Sequence, residues 1–145
     1  RDLVTLTATA SITTADHAGR TLLMGEVGGD AAATFTLPAA TGTGSVFKFV
    51  VSVVNTSNYL IKVADATDTI DGQIVITDAD GTDAASMVTA AASDTITLNG
   101  TTTGGGAIGD YVELIDIASN QYAVSGMVTC AAGSNIATMF SATVS

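Results

Sequence analysis

A two-residue alternation opens this chain: Val4, Leu6, Ala8, Ala10 and Ile12 are apolar, and Thr5, Thr7, Thr9 and Ser11 fill the positions between them. Successive side chains of a strand point to opposite faces, so the pattern predicts a strand with one buried face over Asp2 to Ile12. Further strands are predicted at Arg20 to Met24, Ala33 to Leu37, Val46 to Val54, Tyr59 to Ala64, Gln73 to Thr77, Asp94 to Asn99, Tyr111 to Ile117, Gln121 to Thr129 and Asn135 to Phe140. Gly, Asn or Asp residues separate them, including a turn expected at Gly28-Gly29-Asp30. Pro38 is the only proline and directly follows Leu37, where a missing N–H ends sheet pairing.

Val46 to Val54 carries the strongest pattern. Phe47, Phe49, Val51 and Val53 share one face, and the other face holds Lys48 and Ser52 but also Val46, Val50 and Val54. A strand apolar on both faces is expected to be central and covered on both sides. Two segments depart from the strand pattern. Met87 to Ala92 fits a short helix with Asp83 as N-cap, and Asn99 to Gly109 is a Thr and Gly tract expected to be a mobile or partner-ordered loop, too poor in side chains to pack. The fold class expected is all-β, an antiparallel sandwich, jelly-roll-like or partly closed barrel, in one domain spanning 1–145.

Composition narrows the function. Only 12% of the residues are charged, and 14 Asp and Glu against 4 Lys and Arg give a net charge of -10, which repels nucleic acid and anionic membranes. No apolar run reaches the roughly 18 residues that span a bilayer, and no basic segment followed by a hydrophobic stretch stands at the N-terminus, so a soluble chain is expected. Cys130 is the only cysteine, which excludes an intrachain disulfide or a multi-cysteine metal site.

Candidate chemistry is sparse. Asp16 and His17 are adjacent and would point to opposite faces of an extended chain, so a triad with Ser11 or Thr14 is disfavoured and a turn before Gly19 is the simpler reading. Glu113 and Asp116 lie at odd separation within one strand, hence on opposite faces, which disfavours paired-carboxylate catalysis. Asp78, Asp80 and Asp83 cluster around Gly81 and are candidate calcium ligands, although the closing Glu of a helix-loop-helix site is absent; solvated turn aspartates are the alternative. The Gly104-Gly105-Gly106 run lacks the helix and Lys of a phosphate loop. Tyr59, Tyr111 and Tyr122 are the tyrosines that could stack on sugars, with packing as their more frequent use. No catalytic residue and no cofactor is expected.

The run Thr34-Phe35-Thr36-Leu37-Pro38-Ala39-Ala40-Thr41-Gly42-Thr43-Gly44, leading into Val46-Phe47-Lys48-Phe49-Val50-Val51, resembles a segment of small structural proteins of tailed bacteriophages, those of marine phages above all. His17-Ala18-Gly19-Arg20-Thr21-Leu22-Leu23 fits the same layout, as does Asp94 to Thr102 leading into Gly109-Asp110-Tyr111-Val112-Glu113-Leu114. The resemblance covers roughly Asp16 to Val124 and rests on turns and strand patterns. It implies a capsid decoration, or cement, protein: a β-rich module on the outer surface of the head, often trimeric, bracing neighbouring major capsid subunits. Placement in a tail or fibre, as a module binding a host glycan, is the alternative. Under this reading Arg1 to Ile12 is an intersubunit arm, with Val4, Leu6 and Ile12 as contacts, or else an ordinary edge strand. Gly104, Gly105 and Gly106 form a second candidate contact, as backbone able to conform to a partner.

Overall fold

The computed structural model describes residues 2–25, 31–133 and 135–144. Among these residues the fold is an all-β sandwich, and no barrel closes. The strands are β1 Leu3–Leu6, β2 Ala10–Ser11, β3 Thr21–Met24, β4 Ala33–Thr36, β5 Val46–Val51, β6 Tyr59–Lys62, β7 Thr69–Asp78, β8 Ala84–Val88, β9 Thr95–Leu98, β10 Tyr111–Ala118, β11 Gln121–Cys130 and β12 Phe140–Ser141. One short helix, α1 Thr14–His17, lies between β2 and β3. The larger sheet has the order β1-β3-β5-β10-β11-β7-β8 and the smaller β12-β9-β6-β4-β2. The turn expected at Gly28-Gly29-Asp30 lies outside the described residues.

Pairing is mixed rather than antiparallel. β1 with β3, β3 with β5, β2 with β4, β4 with β6 and β7 with β11 are parallel. The cause lies in the path of the chain, which from β1 to β6 steps to the opposite sheet at every strand. A parallel pair needs a crossover, supplied in many proteins by a helix; here the crossover is a strand of the facing sheet. The expected single strand over Asp2 to Ile12 is accordingly two, β1 at the edge of the larger sheet and β2 at the edge of the smaller. Leu6 and Ile12 are buried in the chain's own core and Val4 packs against it.

That core is built from the alternate residues of both sheets. Phe49 of β5 stacks on Phe35 of β4 across the interlayer gap at 5.9 Å between ring centroids, and Phe35 stacks in turn on Tyr59 of β6 at 6.1 Å. Phe35 and Leu37 share a buried face as expected, and β4 ends at Thr36, just ahead of Pro38. Tyr59 and Tyr122 are both buried, so neither is a sugar platform; their hydroxyls donate to Met24 O and Val53 O, and to Pro38 O, respectively.

Three further expectations change. The helix over Met87 to Ala92 is absent: β8 pairs with β7 from Ala84 to Val88, because β-branched Val88 and the alternation of Ala85 and Met87 toward the core suit a strand better than an exposed helix. Asn135 to Phe140 pairs only from Phe140 onward. The Asn99 to Gly109 tract is packed. Asn99 Oδ1 accepts from the N–H groups of Thr101, Thr102 and Thr103 at 2.8, 2.8 and 3.1 Å, and the loop is stitched to β11 through Gly106 N to Thr129 O. Gly104 and Gly105 are buried. Lack of side chains is what admits this backbone: a Cβ on Gly104, at φ +108, would run into Val128.

The segment Pro38 to Ser45 is held from below by Asp116. Its carboxylate accepts from Thr41 N at 3.1 Å, Gly42 N at 2.6 Å and Thr43 Oγ1 at 2.9 Å. Gly42, at φ +80, turns the chain so that consecutive N–H groups converge on that carboxylate. Asp68 Oδ2 accepts from Ala40 N at 3.2 Å, while Asp68 Oδ1 is buried without a partner. Burial raises the pKa of Asp68. At Asp116 burial also pushes upward but is outweighed by the hydrogen bonds from Thr41, Gly42 and Thr43, and the pKa falls below the usual carboxylate range.

A carboxylate whose folded pKa is depressed stabilises the fold above its unfolded pKa of about 3.9, and that contribution is lost as pH falls through the folded value. Asp116→Ala is therefore expected to cost about 3 kcal/mol at pH 7, from several charge-assisted hydrogen bonds lost together. In thermal melts the gap between the two proteins should narrow as pH falls through the depressed folded pKa of Asp116. Gly104→Ala should cost about 3 kcal/mol by overpacking and backbone strain. Gly44→Ala, at φ +76 with open space around it, should cost only about 1 kcal/mol; equal losses in denaturant titrations would contradict the packed loop.

Candidate interaction surface

The outward-facing residues of the larger sheet form rows across the strands, because paired residues share a face. One row runs Ser86, Val75, Met127, Tyr111, Val50, Leu23, Thr5. Its five central members are apolar or aromatic and belong to five adjacent strands, giving a stripe about 20 Å long at the usual strand spacing. Met127 is 55% exposed and Val75 37%. The next row, Gln73, Ser125, Glu113, Lys48 and Thr21, is polar. Lys48 places its ammonium 4.9 Å from the Tyr111 ring centroid, which holds that ring on the sheet.

The second face of β5 is therefore not covered, contrary to the expectation for Val46 to Val54. Val46, Lys48 and Val50 are half-buried by their neighbours in the sheet, and among the described residues no layer packs over them. Apolar positions on both faces of a strand reflect two buried faces only where a second layer exists.

A wall rises at one end of the stripe. Ala107, Ile108 and Gly109 stand beside Val75, Tyr111 and Met127, enclosing an open groove of about 390 Å³. Ile108 is 75% exposed at its rim. Asp110 fixes the wall: its carboxylate accepts from Gly105 N at 3.1 Å, Thr129 N at 2.8 Å and Thr129 Oγ1 at 2.9 Å. Burial raises its pKa, opposed by the hydrogen bonds from Thr129, Ala107 and Gly105.

Of the residues singled out from sequence, Tyr111 lies in the row and lines the groove; the others lie elsewhere. Val4, Leu6 and Ile12 are at the far edge of the sandwich and face inward. Gly104 and Gly105 are buried and Gly106 half-buried behind the groove wall. Asp78, Asp80 and Asp83 meet in one tight turn, where Thr82 N–H and Thr82 Oγ1 bind the carboxylates of Asp78 and Asp80, and Asp83 N donates to Asp78. Among the described residues no group of three His, Cys, Asp or Glu is placed to hold a metal ion. His17 Nδ1 accepts from Thr13 N at 2.9 Å, and Thr13 caps α1. Glu113 faces outward and Asp116 inward, on the opposite faces their spacing predicts. Cys130 is buried, and burial raises its thiol pKa.

Val75 and Met127 escaped the sequence reading, and Ile108 enters it only as part of the Asn99 to Gly109 loop. Single exposed apolar residues are ordinary; only the register, which sets Val75 beside Met127 in one row, and the wall that brings Ile108 next to them make a surface of them. No family model, curated protein or solved structure matches this chain.

Removing the Asp110 carboxylate leaves two N–H groups and a hydroxyl unpaired. Asp110→Ala should cost about 2–3 kcal/mol and speed amide hydrogen exchange at Ala107 to Gly109, whereas Asp110→Asn, with one acceptor oxygen left, should lose less on both measures.

Proposed function

We propose that this chain is a non-enzymatic structural module that binds another protein through the outer face of its larger sheet, and that the partner is the major capsid protein of a phage head. The chain would act as a decoration protein on the outer surface of the capsid, as a homotrimer, bracing neighbouring capsid subunits. The observation that carries the binding part is the uncovered apolar row from Val75 to Leu23 with the groove at its end. A contiguous apolar strip rimmed by polar residues is the usual mark of a protein contact. The virion part is supported by the resemblance of the segments around Thr34 to Val51 and Asp94 to Leu114 to phage structural proteins.

The distribution of charge favours the same reading. The row carries no ionised group, while the net charge of -10 resides in side chains elsewhere. An acidic module is repelled by packaged DNA and can still present a neutral strip to a protein shell. A second reading, a tail or fibre module binding a host glycan, is favoured by Tyr111 beside the polar groups of Thr77 and Thr129 in the groove.

The test is to add the purified protein to heads lacking it and image them by cryo-electron microscopy. Density on the outer shell, in a copy number tied to the lattice, is expected. The double variant Met127→Glu, Ile108→Glu should bind at least about 10-fold more weakly, a loss of roughly 1.4 kcal/mol or more, with its melting temperature nearly unchanged because both side chains are exposed. Density at the tail alone, together with binding to host glycans, would replace the decoration reading with the second one.

A further inference from the structure

β8 ends the larger sheet, and among the described residues nothing pairs with its far side. The hydrogen bonds Asp78 N to Asp83 O at 3.0 Å and Thr89 N to Gly72 O at 3.1 Å bracket its register with β7. In an antiparallel ladder hydrogen-bonded pairs alternate with non-bonded ones. The bonded pairs are therefore Gly72 with Thr89, Ile74 with Met87, Ile76 with Ala85 and Asp78 with Asp83. Ala84, Ser86 and Val88 consequently turn their N–H and C=O groups outward.

Free edges are commonly protected by a Lys, a Pro, a bulge or a covering loop. β8 has none of these: from Ala84 to Ser93 the chain contains no charged residue and no proline. Val88 is 68% exposed. On the inner face Ala85 and Met87 pack against the core while staying partly exposed, so the core is open at this end.

We infer that β8 pairs with β8 of a second copy of this chain, antiparallel about a twofold axis at Ser86. Ser86 then lies opposite Ser86 of the second copy and Ala84 opposite its Val88. Every outward N–H and C=O of the three residues finds a partner, which makes six hydrogen bonds. On the inner face Ala85 meets Met87 of the second copy and closes the open end of each core.

Charge selects this arrangement. The acidic turn of Asp78, Asp80 and Asp83 sits at one end of β8, and the uncharged segment Thr89 to Ser93 follows the other. In the twofold pair each acidic turn lies beside the second copy's uncharged segment. Asp83 of one copy and Asp83 of the other are then about 20 Å apart along the strands at roughly 3.3 Å per residue, more than twice the Debye length of about 8 Å at physiological salt. Parallel pairing would set the two turns side by side, against a net charge of -10 on each chain.

Ser86 also ends the apolar row, so the rows of the two copies join end to end across the axis. A twofold contact cannot generate a trimer; beside a threefold association it would link one trimer to the next. It does not depend on the identity of the capsid partner, and the purified chain suffices to test it.

The test is a register-specific cross-link. Residues of a bonded antiparallel pair have Cα atoms about 5.5 Å apart, within the range a disulfide spans. Under mild oxidation Ser86→Cys should give a disulfide dimer on a denaturing, non-reducing gel, with buried Cys130 as a silent background. Ala84→Cys alone should not, and the double variant Ala84→Cys, Val88→Cys should. Ser86→Pro removes an outward N–H and leaves the bonds to β7 intact, so its circular dichroism should match the wild type while its sedimentation mass is halved. Equal cross-linking of the Ser86→Cys and Ala84→Cys variants, or an unchanged mass for folded Ser86→Pro, would overturn the inference.

Discussion

The stack of Phe49 on Phe35 is the contact on which the two-layer arrangement turns. The strands that carry these rings, β5 and β4, are neighbours in sequence and lie in opposite sheets. A chain that must bury Phe35 and then Phe47 and Phe49 within a short span can do so by crossing the core and burying both from opposite sides. Repeated from β1 to β6, that step returns each strand parallel to the one two places earlier. Ring contacts at such separations add about 0.5–1.5 kcal/mol beyond area burial, so their weight lies less in energy than in fixing which strands face each other.

Once the layers are set, the connections must satisfy their own backbone, since unpaired buried N–H and C=O groups cost about 1–3 kcal/mol each. Two side chains carry much of that load. Asp116 gathers the N–H groups of Thr41 and Gly42, and Asn99 gathers those of Thr101, Thr102 and Thr103. Both segments look featureless in sequence, being mostly Gly, Thr and Ala, and each is fixed in space by a single acceptor, Asp116 from a distant strand and Asn99 from the start of its own tract.

Much of the fold was legible because alternation in a strand is a local signal. The cores of β3, β4, β5, β6, β10 and β11 can be named from it, down to Phe47, Phe49 and Val51 as one buried face. What alternation does not carry is pairing. It predicts that Val50 and Met127 face the same way relative to their own strands, but their meeting across β10 depends on a register chosen by the whole sheet. For that reason Val4, Leu6 and Ile12 were read as contacts for another subunit when they serve the chain's own core, and the exposed row was missed. The helix expected over Met87 to Ala92 fails for a related reason: Met and Ala favour helix in isolation, and the ladder offered by β7 overrides that preference at Met87 and Val88.

The two faces of the larger sheet therefore report different constraints. The inner face is closed by the smaller sheet, and its residues are those any sandwich of this kind would need. The outer face is free of that demand, yet it places Val75, Met127, Tyr111, Val50 and Leu23 in line where Thr and Ser would serve solubility better. The chain places exposed Thr5 at the end of this same row and half-buried Thr21 in the neighbouring one, so small polar residues were available to it. An apolar row on an open face, in a protein otherwise carrying ten net negative charges, is what the proposed contact with a neutral protein surface would cover. Folding alone would leave that row to water.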